Sequence, residues 1–366
     1  MSKSLMKQIG VRELAKLANV SVGTVDRALN GRKEVNEETR RRILRIAAEY
    51  GYTPNPAARA LSVGRPNIKI GVCIPSEIHY FYDQLRDGIF AETEHFTHLG
   101  IEVLYRPVKT LTSSASGVVS DLLDSGVQTL VVTPGNPSEM QPLIDEAERR
   151  RNVRVVCVVT DVSRSCRSAS VSVNPLVSGM MAADLMSQFV PVSSEVAAVT
   201  GMISIEEHGA KMEGFRRVFE RECSAGRVID VIEGHEDESE TFEKCRRLLK
   251  TRPALRGIYV STVNCIPVCQ AIEQAGASGT VKVIATDLFA EAVAYFENRT
   301  ISASIYQNPF RQGQTAVRLI VDHFAHSRPL PSVRYLNPTI VLRSNLGLFR
   351  ETRGSAGLIE QAAEVV

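Results

Sequence analysis

Residues 11–32 read VRELAKLANVSVGTVDRALNGR, and the fold of the amino-terminal end follows from their spacing. Val11, Leu14, Ala15 and Ala18 recur at helical intervals, which predicts a short amphipathic helix. Glu13 stands three residues after Gly10, the separation at which a capping side chain reaches back to a free N–H. Asn19 tolerates the left-handed conformation that a tight turn needs, and Ser21 can cap a second helix through its hydroxyl. In that helix Val25, Ala28 and Leu29 make the apolar stripe, which leaves Gly23, Arg27 and Asn30 on another face at i, i+4 and i+7. An exposed face carrying a small residue and an arginine can enter a groove.

Outward from this stretch, residues 35–62 read VNEETRRRILRIAAEYGYTPNPAARALS. A third helix is expected from about Asn36 to Tyr50, with Ile43, Ile46, Ala47 and Tyr50 inward, Arg40, Arg41, Arg42 and Arg45 around it, and Gly51 at its end. Two helices joined by a short turn and braced by a third make the helix-turn-helix arrangement, whose second helix enters the major groove. The charge agrees with that reading. Residues 1–65 hold 13 Lys and Arg against 6 Asp and Glu (+7), and the rest holds 30 against 35 (−5). A basic head on an acidic body suits a phosphate-binding module.

These residues, down to NPAARAL at 55–61, closely resemble the lactose-repressor (LacI/GalR) family of bacterial regulators. The resemblance implies that Val22, Gly23 and Arg27 face base edges while Ser21, Thr24 and Asn30 contact phosphates. Arg27 is then the candidate for bidentate reading of guanine. Asn55 to Leu61 matches the family's hinge helix, with Pro56 suited to its first turn, Leu61 wedged between base steps of the minor groove and Ala58 packed beside it. Gly10 and Asp26 depart from the family, which usually has a hydroxyl residue at both places. Each departure loses a phosphate contact, and it bears on the operator sequence more than on DNA binding.

From Ile68 onward short apolar runs alternate with amphipathic helical patterns: IKIGVCI, IEVLYR, TLVVT and VRVVCVVT, then EVAAVTG, RVIDVIE, LRGIYVS and VKVIATD. This pattern predicts parallel strands with crossover helices in two successive blocks. The fold class expected for the whole chain is an N-terminal all-α helix-turn-helix domain plus an α/β sensor domain of two doubly wound parallel-sheet lobes. Its boundaries are a DNA-binding domain at 1–54, a hinge and linker at 55–66, a two-lobed effector domain at 67–346 and a tail at 347–366. A ligand cleft is expected between strand carboxyl ends. The same stretch is similar to the periplasmic sugar-binding proteins whose fold the family uses as its sensor.

That likeness implies the binding residues. Phe81 and Tyr82 in HYFYDQLRDG are the aromatic pair flanking a sugar; Asp161, Asp287 and Gln307 hold positions that bind hydroxyls. Carboxylates and amides suit a polyol because they pair with adjacent hydroxyls, while an aromatic face covers its C–H side. Lys211 stands where relatives usually have arginine, Thr133 where some have asparagine, and Val162 where ribose binders have arginine, which argues against ribose. Asn264 is a further contact, although the register of the following helix would put Val263 there.

The chain has 366 residues, 44% hydrophobic and 23% charged, an ordinary globular balance with room for two or three domains. Its beginning, MSKSLMKQIGVREL, has no signal-peptide core, and no run of about 18 apolar residues occurs, so a cytoplasmic location without membrane insertion is expected. Seven dispersed cysteines do not make a disulfide framework, and Cys265 and Cys269 lack the further ligands of a metal site. No GxGxxG follows a strand, no P-loop occurs, and the seven histidines are scattered, so neither cofactor nor enzyme chemistry is expected; His79 and His208 are placed at most at the cleft mouth. The expected protein is a homodimeric, repressor-type regulator, since one helix-turn-helix reads one half-site. Its partners are double-stranded operator DNA and a small effector, a sugar or polyol by preference and a purine as the alternative. A transporter's solute-binding protein is the rival reading, opposed by the basic helical head.

Overall fold

The computed structural model describes residues 11–29, 35–50, 67–262 and 265–349. The chain divides into two compact units, Met1–Arg65 and Pro66–Val366.

The first unit contains α1 (Val11–Leu17), α2 (Val22–Leu29) and α3 (Glu37–Glu49). Leu14, Ala15, Ala18, Val25, Ala28, Val35, Ile43 and Ala47 form one small core. Leu14 and Ile43 are wholly buried, and each such side chain contributes about 1.5–3 kcal/mol of transfer free energy. The turn is built as its residues dictate. Asn19 sits at φ 51°, and the N–H of Val20 donates to the carbonyl of Ala15 at 3.0 Å. Asn36 caps α3, its Oδ1 accepting from Thr39 N at 2.7 Å. Tyr50 departs from expectation: it is 42% exposed, because it lies past the last helical residue with ψ near 9° and no longer follows the helical stripe.

The second unit runs β1 (Lys69–Cys73), α4 (His79–His95), β2 (Glu102–Tyr105), α5 (Ser116–Asp124), β3 (Thr129–Val132), α6 (Pro137–Arg149), β4 (Arg154–Val158) and β5 (Ala169–Val173). It continues through α7 (Pro175–Phe189), β6 (Glu195–Thr200), α8 (Glu206–Glu222), β7 (Arg227–Glu233), α9 (Glu238–Thr251), β8 (Leu255–Val260), α10 (Cys265–Gln274) and β9 (Lys282–Thr286). It ends with α11 (Val293–Glu297), β10 (Ile301–Tyr306), α12 (Pro309–His326), β11 (Arg334–Leu336) and β12 (Thr339–Val341). One sheet has the order β11-β5-β4-β3-β1-β2, the other β12-β10-β9-β8-β6-β7. All pairings are parallel except β12 with β10. Each sheet is doubly wound, and each makes one lobe.

Among the described residues the chain crosses between lobes three times. Helix α7 leaves β5 of the first lobe and packs on α8 of the second; α12 leaves β10 of the second and packs on α4 of the first; β11 and β12 join opposite sheets. Both helix pairs cross at glycine. A Cβ at Gly179 would lie 2.0 Å from the carbonyl oxygen of Lys211, and one at Gly214 2.2 Å from that of Leu176. In the first lobe, a Cβ at Gly88 would lie 2.0 Å from the Phe310 carbonyl oxygen, and one at Gly313 2.3 Å from that of Leu85. Without side chains at these four positions the helix backbones approach closely, and α8 is held at the depth that brings its side chains to the cleft.

The strand at Ala169–Val173 and that at Ile301–Tyr306 are absent from the apolar runs read in the sequence. Fourth-strand pairing stops at Val158, so Asp161 lies three residues beyond it. The packed body reaches Phe349, whose ring meets Tyr306 edge-on at 5.4 Å, three residues past the boundary expected at 346.

Candidate functional site

On α2, Ser21 caps the helix: its Oγ accepts from Thr24 N at 3.1 Å and exchanges a hydrogen bond with Thr24 Oγ1 at 2.8 Å. Val25 and Ala28 face the core, while Val22 and Gly23 are exposed and Thr24 and Arg27 half-exposed. The Arg27 guanidinium lies over Gly23, 3.4 Å from where a Cβ would stand. Ser21, Val22, Gly23, Thr24 and Arg27 thus belong to one surface at the start of α2. Asn30, Asn55, Ala58 and Leu61 fall outside the described residues, as does Asn264.

Between the two lobes of the second unit is a narrow cleft of about 30 Å³, room for a water or two. It is lined by Phe81, Tyr82, Leu111, Val159 and Thr160 of the first lobe and by Glu207, His208, Lys211, Glu236, Thr262 and Gln307. Four of the expected ligand residues line it: Phe81, Tyr82, Lys211 and Gln307. The two rings meet edge to face at 5.1 Å. Lys211 Nζ donates to Ser261 O at 3.1 Å and to Gln307 Oε1 at 3.0 Å. Burial pulls the Lys211 ammonium below its ordinary range, against the opposing pull of Asp287 and Glu207.

Asp287 stands behind this layer. Both of its oxygens are taken by Gln307, from the backbone N at 2.9 Å and from Nε2 at 2.6 Å, so it orients the amide rather than lining the cleft. Burial raises its carboxyl to about 6 even though Gln307 and Lys211 act to lower it. Asp161 is also committed, in a buried pair in which Arg167 donates to both oxygens and Val162 N to Oδ1 at 2.7 Å. Arg167 in turn reaches Ser332 O at 2.7 Å, tying this loop to the segment before β11. Thr133 is buried just past β3, with no hydrogen-bond partner for its hydroxyl, and does not line the cleft.

Seven of the lining residues were not among those read from the sequence as ligand contacts, and three of these titrate: Glu207, His208 and Glu236. Glu207 is raised to about 8 and Glu236 to about 7, both chiefly by burial. His208 is deeply buried; burial and then the charge of Lys211 depress it to about 3, and its Nδ1 lies 3.1 Å from both the backbone N and the carbonyl oxygen of Met202. His79, by contrast, is 75% exposed. The lobes also touch directly. Tyr80 stacks on Phe289 at 4.0 Å, Tyr306 donates to Gln84 Oε1 at 3.2 Å, and Ser163 N donates to Glu206 Oε1 at 3.1 Å. Val159, at φ 71° with Thr160 N donating to Val158 O at 2.8 Å, forms a γ-turn that costs a β-branched residue about 1–3 kcal/mol and brings its backbone to the cleft. Among the described residues no three His, Cys, Asp or Glu are grouped to hold a metal ion.

Comparison with known proteins agrees with this architecture. The model of the periplasmic binding protein domain matches residues 70–327, and that of the bacterial regulatory proteins of the lacI family matches residues 11–55. The chain belongs to the periplasmic binding protein domain family over its body and carries a lacI-family domain ahead of it. It is 23% identical to the catabolite control protein A of Priestia megaterium, over 69% of this chain and 74% of that one. It is 44% identical to the HTH-type transcriptional regulator AglR of Rhizobium meliloti (strain 1021) over 78 residues, 20% of this chain and 22% of that relative. GanP, a glucose-galactose binding protein from Geobacillus stearothermophilus, has a similar fold: TM-score 0.69 at 22% identity, covering 76% of this chain and 99% of that structure.

Proposed function

We propose that this protein is a sequence-specific DNA-binding transcriptional regulator of carbohydrate metabolism, a cytoplasmic homodimer of the repressor type, whose affinity for operator DNA is set by a carbohydrate or polyol held in the cleft. The observation that carries the reading is the presence in one chain of two features: an α2 surface of Ser21, Val22, Gly23, Thr24 and Arg27, and a cleft with Phe81 and Tyr82 across from Lys211 and Gln307. The first suits phosphates and guanine edges. The second suits a ring with one apolar face and several hydroxyls. A lacI-family domain, a regulator relative and a sugar-binding structural neighbour support the pairing. No helix among the described residues is long and apolar enough to cross a membrane.

The cleft is too small to enclose a sugar as it stands, so binding requires the lobes to part. A ligand that holds them at a new separation changes the second unit's conformation, and that difference is the means by which it can act on DNA binding. A thermal-shift screen of the purified protein against sugars, polyols, sugar phosphates and purines tests the reading, because a ligand at 100 times its Kd adds about 2.7 kcal/mol. The expected hit is a sugar or polyol whose effect is lost in Lys211→Met. Stabilisation by purines alone would overturn the carbohydrate assignment.

A further inference from the structure

Glu207 and Glu236 add two acids to the cleft wall beyond the residues expected to meet hydroxyls. Both line the cavity from the second lobe, and in both Oε2 is buried without a hydrogen-bond partner. Glu207 is otherwise met by the backbone N–H groups of Asp161, in the first lobe, and of Glu207 itself, and Glu236 by that of Leu111 in the first lobe. Glu207 is 6% exposed, and Glu236 is turned inward by two successive left-handed residues, His235 at φ 50° and Glu236 itself at φ 60°.

The nearby cations are already matched. Lys211 is held by Gln307 and Ser261 with Asp287 behind them, and Arg167 gives both of its donating edges to Asp161. His208 is neutral. Two acids therefore remain at the cavity wall without a hydrogen-bonded cation, kept protonated by burial and able to ionise against a cationic ligand. A buried carboxylate oxygen without a donor is costly, and the donor that relieves it best is a cationic N–H. Phe81 and Tyr82 line the same cavity, and aromatic rings attract a cation, whereas they repel a phosphate or carboxylate.

We infer that the cleft is built for an amino sugar or amino polyol, whose ammonium group is received by Glu207 and Glu236 and whose hydroxyls meet Lys211, Thr262 and Gln307. This rests on reading the cleft as a carbohydrate sensor and names the class of carbohydrate. Titration calorimetry of the full chain with glucosamine, galactosamine and mannosamine, each beside its neutral hexose and the hexose 6-phosphate, tests it. One amine should bind tighter than its parent by on the order of tenfold or more, the ratio that one charge-assisted hydrogen bond supplies. In Glu207→Gln and Glu236→Gln that ratio should fall toward one; the wild-type ratio needs no variant and decides by itself if either fails to fold. A neutral hexose bound as tightly as its amine overturns the inference and leaves the sugar reading standing. A preference for the amine that survives in both variants overturns the assignment to these carboxylates. Failure of every carbohydrate to bind overturns the sugar reading itself.

Discussion

Gly179 and Gly117 are both helical glycines, and the structure predicts opposite outcomes for the same substitution. At Gly179→Ala the new methyl would stand 2.0 Å from the Lys211 carbonyl oxygen and 2.8 Å from its carbon, where ordinary contact begins near 3.4 Å. Both atoms are backbone, so no side chain can swing aside, and α7 and α8 must separate by roughly an ångström. Overpacking of this kind costs about 1–3 kcal/mol. The movement carries Glu207, His208 and Lys211, all on α8, away from the cleft, so effector affinity should fall together with stability. At Gly117, the second residue of α5, nothing lies within 4 Å of the new methyl. Gly117→Ala should stabilise by about 0.5–1 kcal/mol, because alanine loses less backbone entropy on folding. Urea unfolding followed by circular dichroism measures both, with the effector's calorimetric Kd as the second readout. A Gly179→Ala protein as stable as wild type, with unchanged effector affinity, would refute the claim that the glycine crossing sets the depth of α8.

Removing the partner of Asp161 by Arg167→Met should destabilise the protein by about 3–5 kcal/mol, since a buried carboxylate is left unpaired, and urea midpoints would report it. The folded Glu207 keeps its proton to about pH 8 and the unfolded side chain only to its ordinary 4.5, so stability falls as pH rises between these values. Glu207→Gln should flatten that slope by up to about 1.4 kcal/mol per pH unit and be the more stable protein at pH 8, which melting curves from pH 5 to 8 check. His208 acts with the opposite sign: its folded value of about 3 against an ordinary 6.5 means stability is lost as pH falls through that range. Arg27→Ala should weaken binding to a selected operator by about 1–3 kcal/mol and relax preference at one base pair, read by anisotropy against single-substituted duplexes.

Much of this was legible in the sequence where one residue type has one use. Asn19 in the turn, Ser21 at the cap and the stripe of Val25 and Ala28 took the places their chemistry assigns. Strands β5 and β10 were not legible, because Ser170, Ser172 and Ser304 break the apolar run although all three are buried. In the cleft, Lys211 and Gln307, expected from the sequence as ligand contacts, stand in the lining, whereas Asp161 and Asp287, expected in the same role, are held by Arg167 and Gln307. Their partners, Arg167 six residues on and Gln307 on another strand's end, are products of the fold. Glu207 looks like an ordinary acid in a first helical turn, and Glu236 sits in the run HEDESE, which reads as a solvated cap. Only the left-handed pair at 235 and 236 and the facing lobe bury them.

The central claim is that one small molecule in the cleft changes affinity for DNA. Its most direct test selects genomic duplexes with the purified full chain, then measures the Kd of the best duplex by anisotropy with and without the carbohydrate that stabilises the protein. The expected result is a shift of about 5- to 150-fold that disappears in Lys211→Met. A duplex affinity unmoved at saturating carbohydrate, or no enriched duplex at all, would contradict it.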